Sequence, residues 1–404
     1  MIKLSQNEIE KLVCKYGTPL FVYDEKEIAR RIKLMASSFK HSNFRILYSV
    51  KANSNIELLK IIRKSGCFID ASSPGDVFLA TTAGFKSEEI YATGPNWTDD
   101  ELEYFIKNKI FVFLDSLSHI RRVGLIKKGL KIGLRINPGI GCGFHKNVMA
   151  GGLDSKLGIP IMDFRKAVDL ARNSGLIVSG LHFHIGSSCL NYKFFLEALE
   201  RILSLANQID TLEILDLGGG YGCNLHDEKN SFDIKKYGEK VIKTINNLYK
   251  SPKKIKLFIE SGEFIMWPCA CAITRVNTIK KNGPKKFIGV DLNSNHIPGP
   301  MLYSTYHPIC NLSENQKLTR EKINIAGNLC AAGDLLAKDR IMEKIEEGDI
   351  LSIQNVGAYC TVRQSHFNSR LAVTELLKRK NGQFSVIKKE TLKDLLNGQI
   401  YKKS

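Results

Sequence analysis

Phe44-Arg45-Ile46-Leu47-Tyr48-Ser49-Val50-Lys51-Ala52-Asn53 carries an apolar run straight into a lysine. Residues 44–50 read as a buried strand, rich in β-branched and aromatic side chains. A lysine at the C-terminal end of such a strand is expensive to hide, and a partly desolvated amine is suited to forming a Schiff base with a carbonyl. Alone, the stretch also fits a solvated surface charge. It decides the fold because its pattern repeats. Strand-like runs follow at 67–71, 90–93, 110–114, 131–136, 177–184, 214–217 and 256–260, with amphipathic stretches such as 55–65, 161–174 and 192–208 between them. Eight strands alternating with helices predict an α/β fold, a parallel (β/α)8 barrel over residues 26–265. The unusual residues cluster at strand ends: Lys51, Asp70, Asn137, His184, Gly218 to Gly220 and Glu260. A barrel carries its site at that face.

From about residue 266 the texture changes. Short β-like runs at 272–279, 287–292, 322–326 and 350–355 are broken by Gly, Pro and Asn turns, which predicts a C-terminal β domain over 266–404. Residues 1–25, with Leu20-Phe21-Val22-Tyr23, are expected to add a strand to it, and Tyr401-Lys402-Lys403-Ser404 to form a frayed tail. The 404 residues, 43% hydrophobic and 25% charged, leave room for this division. No run reaches membrane-spanning length and the N-terminus lacks a signal-peptide core, so a cytoplasmic protein with no membrane partner is expected. The ten cysteines are scattered without paired CxxC sets, which predicts a reduced chain. The net charge of +18 is spread through pairs such as Lys253-Lys254 and Lys388-Lys389. With no nucleic-acid-binding signature it reads as a solvated lysine-rich surface, an acidic partner or anionic substrate being the sharper alternative.

Several short stretches carry chemistry. Gly218-Gly219-Gly220 follows an apolar strand and frees the backbone to line a phosphate with N–H groups, although an ordinary tight turn also fits. In His182-Phe183-His184-Ile185-Gly186-Ser187, alternation puts both histidines on one face. No third ligand at metal spacing is evident, so no metal is expected. A flat imidazole also suits stacking on an aromatic ring, and Ser187 offers a hydroxyl to phosphate. Glu260-Ser261-Gly262 places a carboxylate at the barrel mouth, where it needs a cationic partner to stay ionised. Cys330, in Gly327-Asn328-Leu329-Cys330-Ala331-Ala332-Gly333-Asp334, and Tyr359, in Gly357-Ala358-Tyr359, also fit as core residues.

Together these residues resemble the diaminopimelate decarboxylase family, within the fold-type III pyridoxal 5'-phosphate (PLP) enzymes that include ornithine and arginine decarboxylases. The likeness runs from Gly17-Thr18-Pro19-Leu20 to Asn368-Ser369-Arg370. It includes Arg135-Ile136-Asn137-Pro138, Ser155-Lys156-Leu157-Gly158-Ile159 and Asp216 to Gly220 in order. The resemblance implies a barrel of alanine-racemase type and PLP-dependent decarboxylation of an amino acid. Lys51 is similar to the lysine that holds PLP, and His184 to the histidine stacked on its ring. Ser187, Gly218, Gly219, Gly220 and Tyr359 match the phosphate cradle, and Glu260 matches the acid facing the pyridine nitrogen. Asp70 and Gly262 join the cofactor set, and Cys330 matches the proton donor to the substrate carbon. The family further implies a homodimer in which Cys330 and Tyr359 enter the partner's site. Lys156, Glu263, Tyr303 and Ala331 fall at the substrate end.

Three departures stand out. The family's Glu-Pro-Gly-Arg is Glu260-Ser261-Gly262-Glu263 here, Gly299 replaces an arginine before Pro300-Met301-Leu302-Tyr303, and Ala331 replaces a glutamate after the cysteine. Groups that grip the far end of diaminopimelate are thus absent, and losing such contacts costs roughly 2–5 kcal/mol. The expectation is a specialised substrate other than meso-diaminopimelate, either carried on an acidic carrier protein or a larger scaffold, or a small molecule such as D-lysine or D-ornithine. An ordinary diaminopimelate decarboxylase is the alternative. A racemase-like or non-catalytic homologue is a rival of another class, against which the retained Lys51, Glu260 and Cys330 argue.

Overall fold

The structure is a computed structural model that describes residues 2–145, 148–224, 231–313 and 317–400. The expected tail at 401–404 lies outside the described residues. The chain divides into two compact units, Ala29–Ile265 and Met1–Ile28 with Met266–Ser404.

The first unit is a closed parallel barrel. Its strands are β1 (Phe44–Ser49), β2 (Phe68–Ala71), β3 (Ile90–Thr93), β4 (Phe111–Leu114), β5 (Lys131–Asn137), β6 (Ile177–His182), β7 (Ile214–Asp216) and β8 (Lys256–Ser261). Each pairs with the next, and β8 closes on β1 with Glu260 opposite Leu47. The floor is apolar: Leu47, Tyr91, Phe113, Ile214 and Phe258 pack together, with the Tyr91 and Phe258 rings 4.9 Å apart. Helices between strands start at side-chain caps. Asn55 accepts from the Glu57 N–H before Ile56–Lys64, and Ser73 accepts from the Asp76 N–H before Pro74–Thr82. These caps start each of the two helices soon after its strand, which leaves the strand's last residue at the mouth.

Three barrel strands stop short of their expected ends, β1 at Ser49 rather than Val50, where the 3-10 turn begins. β6 ends at His182 rather than His184, and β7 at Asp216 rather than Leu217. The glycine loop explains both. Gly218 has φ +65°, and a side chain there would meet the Phe183 carbonyl at 2.2 Å, so the two chains leave the sheet in mutual contact.

The second unit is built on one sheet with the order Leu335–Lys344, Lys317–Ala326, Lys285–Val290, Ala270–Asn282, Leu20–Asp24, Thr374–Lys378 and Phe384–Lys388. Leu20–Asp24 is central, antiparallel to Ala270–Asn282 and parallel to Thr374–Lys378. Its buried face joins Leu20 and Val22 to Ile2, Leu12, Cys271, Ile273 and Leu376.

The fully reduced chain expected from cysteine spacing is corrected. Cys142 and Cys189 form a disulfide with Cα atoms 5.8 Å apart. They meet because the segment after β5 folds back on the segment after β6: the N–H groups of Cys142, Ala150 and Gly151 all donate to the Ile185 carbonyl. A pairing across 47 residues that depends on two loops leaves no spacing signal.

Candidate active site in the barrel mouth

Barrel register puts the chemistry in rows. Arg135 on β5 stands opposite His182 on β6, and His182 opposite Asp216 on β7. Asp216 pairs with Phe258, so Glu260, two residues on, points the same way one step nearer the mouth. On the other side, Ser49 pairs with Asp70. The 3-10 turn Val50–Ala52 then presents Lys51, whose Nζ lies 2.7 Å from Asp70 Oδ2; Asp70 is fully buried and the lysine side chain 44% exposed.

Buried carboxylates cannot all stay charged so close together. Glu260 keeps its charge: burial alone would raise its pKa, but His182, with Nε2 at 3.1 Å, and the Lys51 ammonium hold it well below the usual carboxylate range. Its neighbours give way. Burial first, then the Glu260 charge, pushes Asp70 up to about 6 and Asp216 well above its ordinary value. Burial also lowers His182, and brings His184 down to about 3, so both imidazoles are neutral at physiological pH. The tautomer of His184 follows from a backbone contact. The Gly219 N–H donates to His184 Nδ1 at 3.1 Å, which leaves the proton on Nε2. Arg135 is a buried cation, and its pKa, lowered by burial, is supported by Glu260, Asp115 and Asp70.

His182, Asp216 and Glu260 form a cluster whose ligand-type atoms lie within 4.8 Å of one another. Sequence spacing offers no third ligand beside the histidines; in space, Asp216 and Glu260 lie beside His182. The three come from three strands, and only barrel closure brings them together. The positive fields of Arg135 and Lys51, which both bear on His182, favour a proton-sharing role over a divalent cation.

The loops after β6 and β7 stack. A Cβ on Gly219 would meet the Glu260 carbonyl at 2.5 Å, and one on Gly220 the Gly186 carbonyl at 1.7 Å. Ser187 sits half-buried in the middle layer, its N–H donating to the Val148 carbonyl. Gly262 fits against β1: a Cβ there would meet the Ala52 methyl at 2.4 Å. Lys156 is exposed on the segment after β5. Glu263 turns inward. It is 5% exposed, both its oxygens accept from Ser188 Oγ at 2.7 Å, and burial pushes its pKa up to about 7.

The other predicted residues lie in the second unit. Cys330 is exposed on the loop between Lys317–Ala326 and Leu335–Lys344, and its N–H donates to Asn368 Oδ1 at 2.8 Å. Ala331 follows it, half-buried. Tyr359 is half-buried with φ +56°. Tyr303 ends the short helix Gly299–Tyr303 and accepts a hydrogen bond from Arg363 at 2.9 Å. Sequence reading gave His182, Asp216 and Arg135 no place in the site, although strand alternation was an available signal for all three.

Comparison with known proteins supplies the context. Residues 25–266 match the family model described as pyridoxal-dependent decarboxylase, pyridoxal binding domain. A diaminopimelate decarboxylase of Methanothermobacter thermautotrophicus is 35% identical over 96% of this chain and 93% of its own length. One from Archaeoglobus fulgidus is 30% identical over 97% and 95%. The crystal structure of Helicobacter pylori diaminopimelate decarboxylase complexed with L-lysine superposes with a TM-score of 0.89 at 28% identity, covering 96% of this chain and 98% of that one. These relatives overturn the expectation of a specialised substrate other than diaminopimelate. Charge inversion at this position is also weaker than the sequence suggests: Glu263 is buried and bonded to Ser188, and burial favours its neutral form, which reduces its negative charge near neutral pH.

Proposed function

Because the chain belongs to the pyridoxal-dependent decarboxylase family, in its diaminopimelate decarboxylase-like branch, we propose that it removes one carboxylate of meso-diaminopimelate as carbon dioxide and releases lysine. The observation that carries this reading is the end-to-end likeness to diaminopimelate decarboxylases, unbroken across both units.

The barrel mouth fits PLP. The stacked glycine loop has no room for side chains, which suits the close approach of a phosphate to its backbone. An ionised, buried Glu260 suits a protonated pyridine nitrogen, and neutral His184 beside it suits the ring face. When bound, the cofactor supplies an electron sink for the carbanion left by loss of carbon dioxide.

In this reading Lys51 is the amine that holds the cofactor and yields to the substrate amine. Asp70 steadies that ammonium at 2.7 Å, and because its own pKa is near neutrality it can take a proton as the lysine gives one up. Glu260 holds its charge on the ring nitrogen. Ser187 and Gly218 to Gly220 receive the phosphate, and Gly262 lets that wall pack against β1. Cys330 returns a proton to the substrate carbon. Tyr359 completes the phosphate cradle, and Lys156, Tyr303 and Ala331 face the substrate. Exposed Cys330 and half-buried Tyr359 suit a homodimer in which each second unit completes the partner's barrel. Among the described residues no helix is long and apolar enough to cross a membrane. Eight free cysteines favour a reducing, cytoplasmic setting, the lone disulfide being shielded through Cys189, 2% exposed.

The test is carbon dioxide release by PLP-loaded protein from meso-diaminopimelate, beside D-lysine and D-ornithine, with lysine identified as product. Turnover of diaminopimelate at least about tenfold faster than of the others is expected. No release, with the bound cofactor's absorbance intact, would sink the reading.

A further inference from the structure

We propose that Arg363 is a specificity-determining residue that grips the distal carboxylate of the substrate, in place of the arginine absent at Gly299; this rests on the diaminopimelate reading above.

Arg363 ends the 3-10 turn Thr361–Arg363 and is exposed. Its Nη1 donates to Tyr303 Oη at 2.9 Å. Its guanidinium carbon lies 5.4 Å from the centre of the Tyr303 ring and 5.9 Å from that of Tyr359. All three residues belong to the second unit, so their grouping does not depend on how the two units meet. The Cys330 loop borders the same helix: Met301 lies 3.7 Å from where a Cβ on Gly333 would stand. Proton donor, cradle tyrosine, substrate tyrosine and arginine thus occupy one surface.

Among the described residues no carboxylate pairs with Arg363; its hydrogen-bond partner is a neutral phenol. A guanidinium bonded through one nitrogen retains further N–H donors in a planar fork that matches a carboxylate. The phenol and the ring faces fix its plane and cost it no charge. Position 299 offers no equivalent. A Cβ there would meet Thr305 Oγ1 at 2.4 Å, so an arginine at 299 requires that turn to shift. The cation approaches Tyr303 from residue 363 instead, and the missing arginine is compatible with a substrate that carries two carboxylates.

The experiment compares PLP-loaded native protein with Arg363→Met and Arg363→Lys. Its three readouts are steady-state kinetics on meso-diaminopimelate, calorimetric binding of L-lysine and of 1,5-diaminopentane (which lacks the carboxylate), and the dissociation constant of the cofactor. Arg363→Met should raise KM at least about 30-fold, with kcat within about fivefold. It should weaken L-lysine by a similar factor and leave 1,5-diaminopentane and the cofactor constant unchanged. Arg363→Lys should recover part of the loss. A KM within about twofold of native overturns the proposal, as does a loss that appears in cofactor affinity, which would make the bound anion the cofactor phosphate. If native protein does not turn over diaminopimelate, the functional reading fails separately. The lysine and diaminopentane titrations then still judge Arg363, and equal L-lysine binding by native and Arg363→Met protein rejects it.

Discussion

The barrel mouth and the Cys330 surface handle charge in opposite ways. In the mouth, Asp70, Asp216, Glu260, His182 and Arg135 are all buried and answer mainly to one another. Protonation there is set by burial and mutual interaction: His182 and the Lys51 ammonium hold Glu260 ionised, while burial and the Glu260 charge raise Asp216 and bring Asp70 up to about 6. On the β unit, Cys330 and Arg363 stand exposed beside neutral partners, an asparagine and tyrosines. The first region is preorganised before any substrate arrives, which is where electrostatic stabilisation is strongest. The second leaves its groups open to solvent.

The contrast breaks most directly by separating the two halves. Lys51→Ala and Cys330→Ala should each lower decarboxylation by at least about 100-fold, the lysine variant by far more. Mixing the two inactive proteins under subunit exchange should restore about a quarter of native activity, since half of the random dimers carry one intact site. The rate of carbon dioxide release from the mixture is the measurement. No recovery, with exchange confirmed by mass, would place both groups in one chain's site.

A smaller effect tests whether the mouth is an electrostatic unit. Glu260→Gln keeps the shape and removes the charge, and should lower kcat by roughly 100-fold. The same change removes the like charge that helps hold Asp70 near 6, so the Asp70 pKa should fall. A pH–rate profile of the residual activity, whose acidic limb moves to lower pH, checks this. An unmoved limb would mean that burial alone sets Asp70.

The smallest expected effect concerns Glu263, which is buried beside Ser188. Its folded pKa of about 7 exceeds the ordinary 4.5. Its contribution to stability is therefore complete below about pH 4.5 and lost as pH rises through 7. That difference amounts to about 3 kcal/mol across the window. Glu263→Gln should flatten the fall in melting temperature between pH 5 and pH 8, with activity at pH 6 within about twofold of native. An unchanged slope would show that Ser188 and the surrounding backbone compensate the buried charge.

Much of the barrel was legible in the chain. Each strand run is apolar and short, and the chemistry sits at its end, because strand alternation and the cost of burying charge are local effects. Lys51, His184 and Glu260 stand out for that reason. The β unit was harder to read. Leu335–Lys344 escaped notice because Lys338-Asp339-Arg340 interrupts its apolar run.

By itself the sequence determined the alternation of strands and helices in the barrel, the chemistry-bearing side chains near the strand ends, and the family to which their order belongs. Tertiary structure alone decided which of them share a charge. Barrel closure set the register that aligns Arg135, His182 and Asp216, and two loops from different strands brought Cys142 to Cys189. It also turned Glu263 toward Ser188, and brought Arg363 to Tyr303 across 60 residues. The physical reason is common to all of these. Local propensity acts over a few residues, whereas the burial, register and neighbouring charge that fix a protonation state or a contact exist only once distant segments have packed.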